Sequence, residues 1–377
     1  MLYKKLPKLK KKDIYGKKII ARVDFNVPFN KGKIVDDFKI RKTLPLIKML
    51  KHEAKSVVFI THISDTQKYK SFKPFIPALK KACGINMVFA KNPQEARKLS
   101  KNSKSPILLE NLRVFLGEKK NDIKFAKLLS SMGDIYINED FAESHRAYSS
   151  IIQMPKLMPS FAGLLFAEEV KKLEELFNPK HPMLLIIGGV KFKSKVGTLE
   201  RFIKKADKIF IGGGLANTFL LAFGNSVGMS KIDKKSILQI KKNYSKSRKI
   251  LLPEDVIVQG QKIKCISEIK KNDVIYDAGP KTVKKLIDLS KKSKMIVWNG
   301  PIGYSEYGYE KGTKSLALAL SRINAKVIIG GGDTVAVVRG FVNEKKFHHV
   351  STGGGAMLEF LSRGTLPGIE ALLKNKK

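Results

Sequence analysis

Cysteine and long apolar runs are scarce in this chain of 377 residues. Its two cysteines, Cys83 and Cys265, lie far apart and lack the spacing of a metal or redox site, which excludes a disulfide framework. No apolar run approaches the roughly 20 residues that a membrane helix needs. Residues 1–13 are charged where a signal peptide would carry an apolar stretch. The sequence therefore predicts a cytoplasmic protein without a membrane partner.

Acidic residues are also scarce. The chain has 33 Asp and Glu against 73 Lys and Arg, a formal net charge of +40. A basic surface attracts nucleic-acid phosphates with little sequence preference. The lysines, however, are scattered along the chain, and neither a zinc-finger spacing nor an aromatic-interleaved basic stripe accompanies them. We therefore expect no dedicated nucleic-acid partner, although the charge should attract anionic small molecules.

The length and the pattern of apolar residues predict two α/β domains. A chain of this size is too long for one ordinary core and suggests two domains of roughly 150–200 residues each. Short β-branched runs alternate with amphipathic stretches, which is typical of βαβ units and a mostly parallel sheet. We expect a first domain over residues 1–163, a connecting helix over 164–177 and a second domain over 178–363. The fold class is thus two doubly wound parallel-sheet (Rossmann-like) lobes joined by a helix and hinge.

The expected strands divide evenly between the halves. Those of the first half are 18–23, 56–60, 86–89, 106–109 and 135–137, with helices over 40–52 and 123–132. Those of the second half are 183–187, 208–211, 249–252, 295–298 and 327–329, with a helix beginning near Val196.

The two halves differ in the residues that come directly after their strands. First-half strands end in polar groups such as Asp24, His62 and Arg113, whereas the second half carries glycine clusters at 212–214, 330–332 and 353–355. Ligands of open parallel sheets bind beyond the carboxyl ends of the strands. Arg and His suit a small phosphorylated or carboxylated anion, and glycines let backbone N–H groups approach a polyphosphate. This asymmetry favours a phosphoryl-transfer enzyme.

Two features of the second half leave alternatives open. The run 188–195 has glycines and lysines but not the spacing of a Walker A motif, and the glycine clusters do not fit G-x-G-x-x-G. Asp333 is suited to hold Mg²⁺, and it is equally suited to cap the next helix. The adjacent His348 and His349 are interpreted as structural, because neighbouring side chains rarely converge on one ion.

Several motifs, in order along almost the whole chain, resemble those of the phosphoglycerate kinase family. They are RVDFNVP (22–28), LLENLR (108–113), SHRA (144–147), IGGGLANTF (211–219), WNGP (298–301), GGGDT (330–334) and STGGGA (351–356). The resemblance implies reversible transfer of a phosphoryl group between 1,3-bisphosphoglycerate and ADP, giving 3-phosphoglycerate and ATP. It also implies that residues 364–377 return to the first domain and that the lobes close during the reaction. We expect a monomer.

The resemblance further implies site residues. The triose-binding residues would be Asp24, Asn26, Lys39, His62, Arg113, His145 and Arg146. The nucleotide-binding residues would be Lys191, Lys195, Gly212, Gly213, Asn299, Glu306 (on the ribose), Gly331, Gly332, Asp333 and Thr334. Catalytic roles would fall to Lys195, Lys39, Gly353 and Gly354, and Asp333 would contact Mg²⁺.

The chain departs from the family pattern mainly on the triose side. Asp65 stands at the position of a phosphate-binding arginine, and Lys39 stands for the family's catalytic arginine, with Arg41 two residues on. Lysine lacks the planar fork of arginine, so this exchange is not conservative. Met357 and Val190 replace the usual Ser and Ala.

These departures lead to two hypotheses. Lys68, Lys70 or Lys73 could supply the missing charge, which leaves a working kinase with altered substrate affinity. The alternative is a catalytically weakened paralogue that binds nucleotide or RNA. The retained triose residues and Lys195 favour the kinase.

Overall fold

The computed structural model describes residues 1–64, 68–190 and 192–375, which form two compact units. Unit 1 contains Met1–Glu174 and the segment that begins at Thr365, and unit 2 contains Glu175–Gly364. Helix 164–177, expected between the domains, is an α-helix over Leu164–Glu174 within unit 1, followed by a 3-10 turn over Glu175–Phe177 in unit 2.

Unit 1 is built on a parallel sheet. Its strands are β1 (Lys18–Arg22), β2 (Phe29–Asn30), β3 (Lys33–Ile34), β4 (Ser56–Ile60), β5 (Val88–Ala90), β6 (Ile107–Leu109), β7 (Ile135–Asn138) and β8 (Ser160–Ala162). Six of them form one sheet in the order β5-β6-β4-β1-β7-β8, and β2 pairs with β3 in a short antiparallel hairpin. The central strands β1 and β4 are almost wholly buried, as the β-branched runs predict for a sheet covered on both faces.

Helices surround this sheet. They are α1 (Leu2–Lys5), α2 (Lys11–Ile14), α3 (Phe38–Glu53), α4 (Ile76–Cys83), α5 (Pro93–Asn102), α6 (Leu116–Lys119), α7 (Ile123–Ser130), α8 (Met154–Leu157) and α9 (Leu164–Glu174). The expected strands and the expected helices 40–52 and 123–132 are present with ends shifted by up to two residues, whereas α9 ends three residues earlier than expected. The sequence patterns missed β2, β3 and β8, because runs of two or three residues carry too little alternation.

Unit 2 contains a second parallel sheet and a smaller antiparallel one. Its strands are β9 (Met183–Ile187), β10 (Lys208–Ile211), β11 (Ile250–Leu251), β12 (Asp255–Val258), β13 (Lys262–Cys265), β14 (Ile275–Ala278), β15 (Met295–Asn299), β16 (Lys326–Gly330) and β17 (His349–Val350). The parallel sheet has the order β11-β10-β9-β15-β16-β17, and the antiparallel sheet has the order β13-β12-β14. The antiparallel sheet and β17 were not predicted from the sequence.

The helices of unit 2 mostly follow the strands of its parallel sheet. They are α10 (Val196–Phe202), α11 (Gly213–Ala222), α12 (Ile237–Tyr244), α13 (Pro280–Lys292), α14 (Lys311–Leu320), α15 (Gly332–Arg339) and α16 (Gly354–Arg363). In the described ranges every helix is too short or too polar to span a membrane.

The chain returns to unit 1 through α17 (Pro367–Lys374). The backbone N–H of Gly368 donates to the carbonyl of Ser144 at 2.9 Å. A Cβ on Gly368 would lie 2.7 Å from the Cβ of Ser144, so glycine allows the close approach. Ile369 and Leu372 are fully buried. This docking holds the turn that carries His145.

Candidate active site

The end of β1 carries two of the predicted triose-binding residues. Asp24 is buried, and its carboxylate lies 2.8 Å from the ammonium group of Lys39 in the first turn of α3. Burial opposes the charge on Lys39, but the carboxylate of Asp24 outweighs it and raises the pKa of Lys39. Asn26 exchanges two hydrogen bonds with Ser64 beyond the end of β4. The structure therefore brings Asp24, Asn26 and Lys39 into one neighbourhood.

His62 and Arg113 meet at a single carboxylate. His62 follows β4 and is buried, and its Nε2 lies 3.5 Å from Oε1 of Glu143. Arg113 lies in a 3-10 turn after β6, and its guanidinium donates to Oε2 of Glu143 at 2.5 Å. The same guanidinium lies 4.8 Å from the ring centre of Tyr148. Strand ends that are neighbours in the sheet thus place these two predicted substrate-binding residues together.

His145 and Arg146 follow β7 in the turn that carries Glu143. The Nδ1 of His145 is 2.9 Å from the carbonyl oxygen of Ala142, and the backbone N–H of Arg146 donates to the carbonyl of Glu143 at 2.8 Å. The Arg146 side chain is exposed. His145 and Arg146 therefore lie on the same turn as Glu143, which contacts His62 and Arg113.

A buried ionic network adjoins these residues. The guanidinium of Arg22 pairs with Asp140 and donates from Nε to the hydroxyl of Ser150 at 2.8 Å. That hydroxyl donates to Glu118 at 2.6 Å. Burial raises the pKa values of both Asp140 and Glu118, and the charge of Arg22 opposes this rise. Arg22 is thus committed to structure within the chain.

One set of side chains in the described residues has the donors of a cation site. Single donor atoms of Asp24, His62 and Asp140 lie within 4.8 Å of one another. The two carboxylates, however, already pair with Lys39 and Arg22. A dication between two resident cations would be repelled, so we interpret the set as a charge network.

The sequence analysis missed Glu143 as a functional candidate. The signal was present, since Glu139, Asp140 and Glu143 crowd three carboxylates into the five residues after β7 in a basic chain. Sequence alone could not show which of them meets a predicted substrate-binding residue. Glu139 instead accepts backbone N–H bonds from Leu165 and Phe166 at the start of α9.

In unit 2, a cavity of about 320 Å³ lies beyond the ends of the parallel strands. Six predicted nucleotide residues line it, together with Gly189, Val190, Ser194, Gly214, Gly300, Pro301, Gly303 and Tyr304. The six are Lys195, Asn299, Glu306, Gly331, Asp333 and Thr334. Sequence reasoning had not singled out Ser194 or Tyr304 as site residues. The lining combines charged and amide side chains with glycine backbone, a proline and a tyrosine, which is typical of small-molecule sites.

Lys195 and Asn299 meet in this cavity. Lys195 is 9% exposed, and its Nζ donates to Oδ1 of Asn299 at 3.5 Å. Burial lowers the pKa of Lys195, and the charge of Asp333 offsets part of that effect. The ammonium group is therefore poorly solvated, which strengthens its attraction for an incoming anion.

Glycines allow the strand-end loops to pack closely. Gly331 has φ +97° and Gly300 has φ +99°, conformations that disfavour a side chain. The N–H of Gly300 donates to the hydroxyl of Thr334 at 2.8 Å. Gly213, with φ +58°, starts α11, and Gly212 precedes it as the N-cap. The contact between Gly300 and Thr334 brings the ends of β15 and β16 together.

Two roles were considered for Asp333, which were to hold Mg²⁺ or to cap the next helix. The N-cap of α15 is Gly331, and Asp333 is the second residue of the helix, exposed and lining the cavity. The interpretation as a cap is therefore wrong. Gly332 is exposed at the first helical position.

The remaining predicted residues have mixed outcomes. Gly353 is the N-cap of α16, and its N–H donates to the hydroxyl of Ser351 at 3.2 Å. Gly354 begins that helix and packs against Gly331. Lys191 and Asp65 lie outside the described residues. Arg41 pairs with Asp37 at 2.9 Å.

The sequence model of the family described as phosphoglycerate kinase matches residues 9–363. The chain belongs to the phosphoglycerate kinase family. The phosphoglycerate kinase of Pseudothermotoga lettingae is 39% identical over 97% of this chain and 98% of its own length. That of Buchnera aphidicola is 38% identical over 98% of this chain and 99% of its own length.

Solved phosphoglycerate kinases have the same fold. The structure from Coxiella burnetii has a TM-score of 0.82 and 32% identity over 97% of this chain and 98% of its own. The structure from Pyrococcus horikoshii has a TM-score of 0.87 and 27% identity over the same shares. The family membership and the α/β class predicted from the sequence are both confirmed.

Proposed function

We propose that this chain catalyses the reversible transfer of a phosphoryl group between 1,3-bisphosphoglycerate and ADP, which gives 3-phosphoglycerate and ATP. It is a phosphotransferase whose acceptor is a carboxyl group, as in the other phosphoglycerate kinases. We assign the triose to the strand ends of unit 1 and the nucleotide to the cavity of unit 2.

The observation that carries this proposal is the cavity around Lys195. A desolvated ammonium group, an amide from Asn299 and a carboxylate from Asp333 line the same space. Gly214 in the first turn of α11 and Gly331 at the start of α15 line it as well. Backbone N–H groups at a helix start favour phosphate oxygens, and a nearby lysine neutralises charge that develops on a transferring group.

The acceptor chemistry requires no general base. The acceptor is a carboxylate or an ADP oxygen, and both are already anionic. Catalysis then depends on in-line alignment of donor and acceptor and on stabilising the charge of the transferring oxygens. We assign Lys195 to the stabilisation of the charge on the transferring oxygens.

Mg²⁺ is the proposed cofactor, and the residues of the cavity fit it. Two carboxylates, Asp333 and Glu306, are among the lining side chains, and Mg²⁺ is commonly held by one or two carboxylates together with substrate phosphates. We assign Asp333 as the contact and Glu306 to the ribose. When bound, the ion supplies positive charge next to the nucleotide phosphates.

On the triose side, we assign His62, Arg113 and Arg146 to the anionic groups of the substrate. Asp24 and Asn26, fixed by Lys39 and Ser64, present oxygens and an amide that suit the hydroxyl of a triose acid. Lys39, whose raised pKa keeps it charged, takes the position of a further cation beside the substrate.

Steady-state turnover tests the proposal. The full chain is assayed with 3-phosphoglycerate and MgATP, and acyl phosphate formation is coupled to NADH oxidation. Lys195→Ala should reduce kcat by about 100-fold or more, because it removes a charge that stabilises the transition state. Lys208→Ala, which removes a partly buried lysine whose ammonium bonds to the carbonyl of Arg248, serves as the control.

The two outcomes differ clearly. Turnover that is lost in Lys195→Ala and kept in the control supports the assignment. No turnover in the parent protein, despite measurable binding of MgADP, contradicts the proposed function and supports the paralogue. Equal turnover in the parent and Lys195→Ala removes Lys195 from the mechanism.

A further inference from the structure

We propose that Glu143 is an internal anion that occupies the predicted anion-binding residues His62 and Arg113, and that it sets the affinity of unit 1 for its anionic substrate. The inference rests on the proposed function, because that function makes His62 and Arg113 the receptors of a phosphorylated carboxylic acid. It concerns a specificity-determining residue outside the set predicted from the sequence.

The geometry of Glu143 is that of a bound anion. One carboxylate oxygen is 2.5 Å from the guanidinium of Arg113, and the other is 3.5 Å from Nε2 of His62. The two oxygens therefore divide between the two side chains, much as two oxygens of a substrate carboxylate or phosphate would. The side chain is 14% exposed, so these contacts are largely shielded from water.

The surrounding backbone holds Glu143 in this position. Its N–H donates to Oδ1 of Asp140 at 3.0 Å, and its carbonyl accepts from Arg146 at 2.8 Å. The carboxylate is thus delivered by a fixed turn after β7. The ring centre of Tyr148 lies 4.8 Å from the guanidinium of Arg113 and restrains that side chain, the partner of Glu143.

The local charge balance makes this carboxylate important. Three cationic side chains of the network, Arg22, Lys39 and Arg113, face four carboxylates. The four are Asp24, Glu118, Asp140 and Glu143. The three permanent cations of this network are therefore all matched by carboxylates, although the chain as a whole carries a net charge of +40.

Glu143 is the member of this set that most directly opposes a substrate. Asp140 and Glu118 face Arg22, and burial raises the pKa of each. For Glu143, burial acts in the same direction, but His62, Arg22 and Arg113 outweigh it and hold the pKa below its ordinary value. Its charge therefore persists at neutral pH, and an incoming anion must compete with it for His62 and Arg113.

Removing this charge should tighten anion binding. Glu143→Gln keeps the shape and the backbone contacts of the residue, and Glu143→Ala also vacates its space. We expect the dissociation constant for 3-phosphoglycerate to fall about tenfold in both variants, since one opposed charge contact is worth about that factor. Inorganic phosphate, the second probe, should bind more tightly by a similar factor.

The experiment uses titration calorimetry of the full chain without nucleotide, together with the turnover assay. Glu53→Gln is the matched control, because it removes one acidic charge of unit 1 from a pair with Lys11. The control should leave both dissociation constants unchanged. Melting curves show that each variant is folded before its affinity is interpreted.

The outcomes separate the inference from the proposed function. Tighter binding of both anions in the two Glu143 variants supports the inference even where the parent shows no turnover. Unchanged or weaker binding in folded Glu143→Gln, with normal turnover in the parent, overturns the inference and makes Glu143 a residue that merely orients Arg113. An equal gain in Glu53→Gln also overturns it, because total charge would then explain the effect.

Discussion

Gly354 packs so closely against Gly331 that a Cβ on Gly354 would lie 2.4 Å from the Cα of Gly331. Gly331 follows β16 and caps α15, and Gly354 begins α16 after β17. The contact therefore joins the starts of two helices on neighbouring strands of unit 2. It also borders the cavity, since Gly331 is one of the lining residues.

Gly354→Ala should therefore destabilise unit 2. The new methyl group would clash with backbone atoms, which cannot move aside by a change of rotamer as a side chain can. Overpacking of this kind costs about 1–3 kcal/mol. Denaturant unfolding measures the change. Gly332→Ala is the matched control, because a Cβ there meets no atom within 4 Å. Equal stability of the two variants would contradict the packing argument.

Lys39→Ala should reduce both stability and turnover. Asp24 is 2% exposed, so loss of the ammonium group leaves a buried carboxylate without its cation, at a cost of about 1–3 kcal/mol. The double variant Asp24→Asn with Lys39→Ala should recover most of the stability but not the turnover. Chemical denaturation and the coupled assay measure the two quantities. Recovery of turnover in the double variant would show that Lys39 acts only through Asp24.

Nucleotide affinity should depend on the protonation of Lys195. Burial lowers the pKa of this lysine, so its positive charge is lost at a lower pH than that of an ordinary lysine. As pH rises, the affinity for MgADP should therefore begin to fall below the pH at which an ordinary lysine loses its proton. Calorimetric titration of the parent and Lys195→Ala gives the comparison. The variant should bind more weakly and show a flatter profile, and parallel profiles would contradict the assignment.

Stability should fall as pH rises because of Glu139. Burial raises the pKa of this carboxyl to about 8, although the N–H groups of Leu165 and Phe166 favour its charged form. Between its ordinary value and about 8, the unfolded chain has released the proton and the native state still holds it. The free energy of unfolding therefore decreases by about 1.4 kcal/mol per pH unit in that window.

Glu139→Gln removes this slope, because the amide does not titrate. Urea unfolding at several pH values across the window should show the parent losing stability relative to the variant. Glu370→Gln, which removes an exposed carboxylate of α17, should keep the slope of the parent. A slope shared by all three proteins would rule out Glu139 as its source.

The local patterns of the sequence were sufficient for the fold class and the location of the main strands. The runs in β1, β4, β9 and β15 are buried on both faces, and such strands carry their own signal as continuous β-branched segments. The antiparallel sheet of β12, β13 and β14 was missed. Its four-residue strands include polar residues such as Lys262 and Lys264, so its pattern resembles that of a loop.

The ordered motifs likewise identified the family, and the glycine clusters indicated where backbone could approach a polyphosphate. Tertiary structure decided which groups share a site. Lys195 and Asn299 are brought together across a sequence separation of 104 residues, and Glu143 reaches both His62 and Arg113. Such contacts depend on which strands are neighbours in a sheet and on how each turn directs its side chains. Burial, which raises the pKa of Glu139 and lowers that of Lys195, follows from that arrangement and not from residue type.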